Sequence, residues 1–257
     1  MTIRQIAVSL LVGIFTTVPA AAFGHWDDFG SHVTANNVHA FTQDLGGLIG
    51  SGTYTTGRIL GWGGFQIGPR AGMLFKMSKA KGTTSDERNQ TALGDRSDIG
   101  GLFSPWLQAD IGMPFRLDGF IRASSYDGLT IAGGGLRWGV TRPSEVLGSL
   151  QPMLVLAAHS ASAQDFSATH YNASLVLSMK FKYFVPYVGG GVDYTTVNVG
   201  NGVGAQAADL RATREHASTP RATVGFNFKL PSYLDLSLAA NYAHYGLGAE
   251  ASLSLRF

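Results

Sequence analysis

Four of the seven histidines fall near the outer ends of predicted strands, namely His159, His170, His216 and His244. Asp165 and Asp209 occur in the loops beside them. A carboxylate that orients a histidine can activate water, so one hypothesis is a hydrolase site at this rim. A metal-binding or pH-sensing rim uses the same residue types. The sequence contains no Asp-x-Asp or Asp-x-His pair, and we predict no catalytic and no metal-binding residues.

A second set of charged residues alternates with apolar residues and is predicted to line the interior of the fold. Its basic members are Arg70, Lys76, Arg116, Arg122, Arg137, Lys180, Arg221, Lys229 and Arg256. Its acidic members are Asp110, Asp118, Asp193, Asp235 and Glu250. Excess positive charge in a narrow tunnel would favour the entry of small anionic solutes. Alternatively, these charges pair across the interior and seal it, because about ten strands enclose little space.

The composition excludes several classes of protein. Only 14% of the 257 residues are charged, against about 25% in a typical soluble domain, while 45% are hydrophobic. This deficit of charge indicates a surface that faces something other than water. The absence of cysteine excludes a disulfide scaffold and a cysteine-ligated metal site. The net charge is only +2 and no basic run occurs, so nucleic acid is not an expected partner.

The elements that must position these residues are strands, because apolar and polar residues alternate with a period of two. In residues 247–257, Leu253, Leu255 and Phe257 alternate with serines and Arg256. Such stripes also occur in soluble β-sandwiches. Here they are about ten residues long, which spans about 25 Å at a tilt near 40° and matches a membrane barrel. Sandwich strands are nearer five or six residues long. We therefore predict an all-β fold, a closed antiparallel transmembrane β-barrel.

The alternating segments predict about ten strands, with both termini at the periplasmic side. They cover residues 64–77, 102–113, 115–125, 129–141, 151–160, 169–183, 185–198, 218–230, 233–243 and 247–257. An extra pair drawn from residues 52–60 would give twelve strands. The long connectors, residues 79–101 and 200–217, are predicted to face outward.

The N-terminal region is predicted to have two parts. Residues 1–22 have the charged start, apolar run and Ala20-Ala21-Ala22 ending of a signal peptide. In residues 23–60, apolar residues from Val38 to Ile49 recur at spacings of three and four, which predicts a short helix with Thr34 as a candidate cap. The helix could plug the lumen or cover the periplasmic rim, and we expect it on the periplasmic side. Residues 61–257 are assigned to the barrel.

The ending Ser252-Leu253-Ser254-Leu255-Arg256-Phe257 resembles the last strand of Gram-negative outer-membrane β-barrel proteins. The resemblance extends over the whole mature chain. It implies export and residence in the bacterial outer membrane, with outer-membrane lipid as surroundings. It also implies that periplasmic chaperones and the barrel assembly machinery act on the chain, with Phe257 as the assembly signal.

For function, the sequence favours a non-enzymatic, porin-like protein without a cofactor, either a narrow channel or a solute-binding pore with a basic lumen. One alternative is a non-conducting structural or surface-binding barrel that uses the loop of residues 79–101. The rim hydrolase described above is a second alternative.

Overall fold

The computed structural model describes residues 26–78, 90–95, 101–231, 233–243 and 246–257. The predicted signal peptide, residues 1–22, lies outside these described residues, as do His244 and most of the loop of residues 79–101. In the described part of the chain, no helix is long and apolar enough to cross a membrane.

Of the twelve strands in the described residues, ten form a closed antiparallel barrel, which confirms the predicted fold class. The barrel strands are β1 Phe65–Leu74, β4 Leu102–Met113, β5 Leu117–Tyr126, β6 Leu129–Gly139, β7 Leu150–Ser162, β8 Phe166–Met179, β9 Phe184–Val199, β10 Arg214–Leu230, β11 Leu234–Ala243 and β12 Gly246–Arg256. Each strand pairs with its neighbours in sequence, and β1 closes the ring on β12. The remaining strands, β2 Gln90–Thr91 and β3 Gly94–Asp95, form a separate small hairpin.

The two ends of the barrel differ. At the end where β1 begins and β12 ends, called the turn end here, β4 and β5 are joined by a single 3₁₀ turn, Pro114–Arg116. The opposite end, called the loop end, carries the connection between β9 and β10, which includes the 3₁₀ segment Ala205–Leu210. Strands β7 to β10 have 13 to 17 residues, whereas β1, β5, β6, β11 and β12 have 10 or 11. The barrel is therefore taller on one side.

Alternation along each strand separates an apolar outer face from a largely polar inner face. Large side chains such as Ile121, Leu156 and Val224 point outward and are 57% to 71% exposed. Inward positions hold residues such as Asp110 and Asp193, which are at most 1% exposed. A single closed sheet with exposed apolar side chains is unlike a soluble sandwich, whose apolar faces pack together. The sheet surrounds its polar residues instead.

Among the described residues, the α-helices lie in the N-terminal segment, which comprises a 3₁₀ turn Trp26–Asp28, α1 Phe29–His32 and α2 Val38–Gly50. The predicted helix is thus confirmed, but it begins after Asn37 and not at Thr34. The Asn37 side chain accepts a hydrogen bond from the Thr34 amide (2.8 Å) and donates one to the His32 carbonyl (2.9 Å).

Several predicted boundaries are wrong for local reasons. Residues 52–60 form no barrel strand, so the twelve-stranded alternative is excluded. Strand β5 starts at Leu117 and not at Phe115, because Phe115 and Arg116 adopt positive φ angles of 62° and 64° in the tight turn. Strands β7, β8 and β10 extend two to four residues further toward the loop end than their alternation suggested.

Candidate functional site: the plugged lumen

The lumen of the barrel is occupied by residues 26–64, called the plug here. The plug starts at the loop end, where Trp26 and Phe29 pack near Phe166 of β8. It then passes along α2 beside β8, β9 and β10, and reaches the turn end before β1. Of the two predicted arrangements, the structure has the plug: α2 lies within the barrel and begins near the loop end, and it does not cover a rim.

The upper part of the plug is held by apolar packing. Phe29, Phe41 and Phe166 form a cluster with ring centroids 4.7 to 5.2 Å apart. Below it, Leu45 and Ile49 of α2 belong to the same buried core as inward residues of six barrel strands, including Leu74, Leu102, Leu129, Ala168 and Val197. An amphipathic helix normally buries one face. Here the surrounding barrel covers nearly all of α2, including Asp44, which is 2% exposed.

Glycines allow the plug to approach the wall closely. A side chain on Gly50 of α2 would collide with Arg221 and Asp193, and a side chain on Gly189 of β9 would collide with Tyr54 of the plug. Glycine lowers helix propensity by about 1 kcal/mol relative to alanine. The narrow lumen explains why α2 nevertheless contains it, and the glycine triplet that includes Gly189 is a place where the plug meets the wall.

Four inward arginines donate hydrogen bonds to carbonyl groups at and beyond the end of α2. Arg221 donates to Gly47 (2.7 Å), and Arg122 donates to Ser51 (2.8 Å) and to Ile49. Arg70 donates to Gly52 (2.8 Å), and Arg137 donates twice to Thr53 (2.6 and 3.0 Å). The last carbonyls of a helix lack partners within the helix and carry partial negative charge. The arginines therefore act as a clamp on the C-terminal end of α2, and these four residues are called the arginine clamp below.

Buried carboxylates neutralise part of the arginine clamp. Asp110 accepts from Arg70 at 2.9 Å and lies 2.7 Å from Arg137. Asp193 accepts from Arg221 at 2.8 Å and from Asn172 at 2.6 Å. Buried charges need such partners because the desolvation cost is otherwise several kcal/mol per ion. The alternative in which the interior charges pair is therefore the one found for these residues.

Two inward aromatic residues complete the arginine clamp and were not identified from the sequence. The guanidinium of Arg122 lies over the Trp106 ring at 4.9 Å, and that of Arg137 lies over the Phe120 ring at 4.5 Å. Stacking on an aromatic face stabilises a guanidinium in a buried site. The alternation that placed Asp110 and Arg122 inside also places these rings inside, so it could have found them.

At the turn end the lumen narrows to a small polar space. Asp118 accepts a hydrogen bond from the Leu60 amide at 2.7 Å, Lys229 lies 3.8 Å from Asp235, and Arg256 approaches the Leu60 carbonyl at 3.5 Å. The cavity that these residues share with the plug has a volume of about 20 Å³. A cavity of this size holds about one water molecule. Glu250, higher in the barrel, accepts from Asn241 at 2.8 Å.

Three basic residues predicted to face the interior lie elsewhere. Lys76 is exposed beyond the end of β1. Arg116 lies in the turn after β4, donates to the Val140 carbonyl (2.6 Å) and sits over the outward ring of Trp138. Lys180 follows the end of β8 and pairs with Glu145 at the mouth of the turn end. Alternation gives no direction for a side chain outside a strand, which explains these errors.

The predicted histidine rim is wrong for two of its members. His159 and His170 face each other across β7 and β8, but both are buried in the lumen with ring centroids 5.8 Å apart. His170 contacts the Thr195 hydroxyl at 3.0 Å. Both lie deeper than predicted because β7 and β8 continue beyond the expected boundaries.

The other rim candidates are scattered. His216 lies on the outer face, where it contacts the hydroxyls of Thr196 (2.9 Å) and Tyr194 (3.2 Å). Asp165 is buried in the loop between β7 and β8, and Asp209 is exposed in the loop before β10. Within the described residues, no three His, Asp or Glu side chains are arranged to hold a metal ion.

No protein-family model and no curated protein significantly matches the chain. Among solved structures, it is similar to the N-terminal β-barrel domain of OprF from Pseudomonas aeruginosa, with 10% identity, a TM-score of 0.37, and 77% of this chain and 99% of that chain covered. It is also similar to the outer membrane protein OprG from Pseudomonas aeruginosa, with 12% identity, a TM-score of 0.37, and 77% of this chain and 99% of that chain covered. A third similar structure is LpxR from Salmonella typhimurium, with 10% identity, a TM-score of 0.37, and 75% of this chain and 99% of that chain covered.

At these identities and TM-scores, the similarities carry no argument about activity, and the class of the protein rests on its own geometry. That geometry defines a closed ten-stranded antiparallel β-barrel with an apolar outer face and a lumen filled by its own N-terminal segment.

Proposed function

We propose that this protein is an outer-membrane β-barrel whose lumen is closed by the plug, so that it does not conduct in the state described. The apolar outer side chains and the strand lengths of 10 to 17 residues support residence in the outer-membrane bilayer. Because both ends of the barrel sequence lie at the turn end, the turn end faces the periplasm and the loop end faces outward.

The observation that carries the proposal is the arginine clamp. These four residues would have given a basic lumen its preference for anions, but their guanidinium groups donate to plug carbonyls and to buried carboxylates. A solute could use them only after the plug had moved. The role that remains for this closed state is a structural or surface-binding barrel.

A second candidate, a gated channel for small anions, is favoured by a different observation. Several buried nitrogen atoms along the contact between plug and wall have no hydrogen-bond partner in the described part of the chain, including Arg70 Nε, Arg122 Nε and both ring nitrogens of His159. Unpaired polar atoms in a dry interior cost about 1–3 kcal/mol each. Entry of water as the plug withdraws would recover part of that cost.

A reversible lock distinguishes the two candidates. The chain has no cysteine, and a Cβ placed on Gly47 of α2 lies 3.2 Å from the Cβ of Ala243 in β11, close to the disulfide range of about 3.5–4.5 Å. The double variant Gly47→Cys, Ala243→Cys would fix the plug when oxidised. The closed barrel predicts no current in planar bilayers before or after reduction. Conductance steps that appear only after reduction would instead establish the gated channel.

Two controls make the result interpretable. The single variant Gly47→Cys reports whether a side chain at this position disturbs the plug without a disulfide. Flotation of the protein with lipid vesicles, followed by heat-dependent migration on gels, reports whether the barrel has inserted. A protein that stays soluble without detergent and does not float would contradict the membrane location itself.

The rim hydrolase receives no support from the placement of His159 and His170, because both are enclosed by the barrel and plug. Recognition of the last strand by assembly factors stays a prediction. Phe257 is 68% exposed, and its ring stacks on Phe65 beside the seam where β1 meets β12. Replacement of Phe257 by Ala should lower the amount of folded barrel in the membrane while leaving refolding of the purified chain unchanged.

A further inference from the structure

The outer face of β6 to β10 changes from polar to apolar in successive rows of cross-strand neighbours. The row nearest the loop end consists of Thr130, Ser162, Ser167, Asn198 and Arg214. The second row consists of Ala132, Ser160, Thr169, Thr196 and His216. These ten positions include nine polar side chains. Because neighbouring strands lie about 4.8 Å apart, five strands make this polar surface about 19 Å wide.

An apolar groove begins directly below the polar rows. Its first row is Gly134, Ala158, Tyr171, Tyr194 and Ser218, and its second is Leu136, Leu156, Ala173, Val192 and Pro220. Small residues form its floor and the tyrosines its wall, and its volume is about 480 Å³. A second depression of about 400 Å³ continues it toward Trp138 and Leu175 and shares Leu136, Leu156 and Ala173 with it. Together they form one elongated apolar groove on the outer surface of the barrel.

The polar rows and the groove are physically connected. Tyr194 lines the groove, and its hydroxyl lies 3.2 Å from the ring of His216 in the polar rows. Arg214 donates from Nε to Asn198 (2.9 Å), and in the described part of the chain its terminal nitrogens have no protein partner. A guanidinium with free donors at a polar surface binds phosphate well.

The opposite side of the barrel shows a different pattern. The uppermost outward residues there include Phe75, Tyr242 and Leu247, all at least 41% exposed. A groove of about 520 Å³ on that side is lined by residues such as Met73, Phe103 and Ala249. Both sides therefore offer an apolar groove, but among the described residues the positions directly above it form two rows of mostly polar side chains on the β6–β10 side and include Phe75, Tyr242 and Leu247 on the opposite side.

We propose that the β6–β10 face binds an outer-leaflet lipid whose head group is a phosphorylated sugar. An acyl chain occupies the groove, the sugar hydroxyls contact the serine and threonine rows, and a phosphate contacts Arg214. The 19 Å width of the polar surface fits a head group of disaccharide size better than a single phosphodiester. This proposal rests on the membrane location proposed above, and it is independent of whether the lumen opens.

The test measures which lipid the full-length protein retains. Protein reconstituted in vesicles that contain diphosphorylated lipid A and phosphatidylglycerol is extracted in mild detergent and analysed by native mass spectrometry. The expected result is one retained lipid A per barrel. Arg214→Glu should reduce the retained amount about tenfold, the loss expected for one charge-assisted hydrogen bond. Ala158→Trp, which fills the groove, should reduce it similarly.

The matched control is Ala249→Trp in the groove on the opposite side, which should leave retention unchanged. Flotation with vesicles that lack lipid A separates failure of this proposal from failure of membrane insertion. Equal retention of phosphatidylglycerol would overturn the assignment to a sugar head group. Loss of retention in all three variants alike, or a dimer that Ala158→Trp dissociates, would overturn the lipid site.

Discussion

The upper and lower parts of the plug occupy the same barrel but are held by different forces. In the upper part, Phe41 and Leu45 pack among apolar residues, so the free energy comes from the removal of apolar surface from water. In the lower part, the carbonyls of Ser51 and Thr53 accept from arginines of the wall. Apolar packing requires no direction, whereas each of these hydrogen bonds fixes a donor and an acceptor in place.

This difference indicates where the plug would open first. Water cannot replace the contacts of a buried phenyl ring, but it can replace a hydrogen bond to a carbonyl at small net cost. We therefore expect the segment of residues 51–60 to open locally more readily than α2.

The variant Phe41→Ala should remove the centre of the aromatic cluster at the loop end. Phe41 is 1% exposed, and truncation of such a residue costs about 3–5 kcal/mol. The free energy of unfolding in urea, measured in lipid vesicles, should fall by that amount. Tyr183→Ala, at a position that is 66% exposed at the turn end, serves as control and should change it little. An equal change in both variants would contradict the apolar anchoring of the upper part.

The upper anchor should also depend on pH through Asp44, which lies outside the membrane-spanning strands. Burial raises the pKa of Asp44 from 3.8 to about 7, and hydrogen bonds from Ser78 oppose the shift. A carboxyl that holds its proton more tightly when folded stabilises the fold below pH 3.8. That stability is lost as the pH rises to about 7, and the loss is on the order of 4 kcal/mol at about 1.4 kcal/mol per pH unit.

The measurement is the urea midpoint of the inserted barrel between pH 4 and 8. The variant Asp44→Asn should flatten this dependence, because an amide does not titrate. A profile that stays unchanged in Asp44→Asn would assign the pH dependence to another group.

In the lower part, Arg122→Met should remove donors to the Ile49 and Ser51 carbonyls while retaining apolar volume. Buried carbonyls left without partners cost about 1–3 kcal/mol. Amide hydrogen exchange should accelerate in residues 49–53 and remain slow around Phe41. Arg116→Met is the matched control, because Arg116 lies in a turn outside the lumen. Acceleration along the whole plug would show that its two parts are not separable.

The smallest effect is expected at the mouth of the turn end, where Arg58 pairs with Glu145. The Arg58 side chain is only 12% exposed, but that of Glu145 is 74% exposed, and an ion pair that is open to solvent contributes about 0–1 kcal/mol. Arg58→Ala should therefore change the free energy of unfolding by less than about 1 kcal/mol. A larger loss would identify this ion pair as a true seal of the lumen.

Much of the fold could be predicted because membrane strands repeat a simple pattern over many residues. Alternation with a period of two predicts the ten strands and their closure into one barrel. It also predicts the inward direction of Arg70, Arg122, Arg137 and Arg221. The same pattern gave no information for Lys76, Arg116 and Lys180, which lie beyond strand ends. It also placed His159 and His170 too near the rim, because apolar alternation fades before the hydrogen-bonded ladder ends.

The site could not be predicted in the same way. Spacings of three and four residues between Val38 and Ile49 predicted a helix, but they do not show what covers its other face. Whether an inward arginine lines a pore or binds a backbone depends on distant residues. Arg221 and the Gly47 carbonyl, for example, are 174 positions apart. Every residue has a main-chain carbonyl, so the sequence does not show which carbonyl will accept a hydrogen bond from a distant side chain.

The route of the plug has a consequence for assembly. The chain passes through the ring from the loop end to the turn end, reverses at residues 61–64 and returns as β1, whose outer edge pairs with β12 to complete the ring. A folded helix with its aromatic cluster could enter a barrel of ten paired strands only if both the helix and the barrel unfolded in part. We therefore expect the N-terminal segment to fold first and the barrel strands to assemble around it. The pairing of β1 with β12 would then form last.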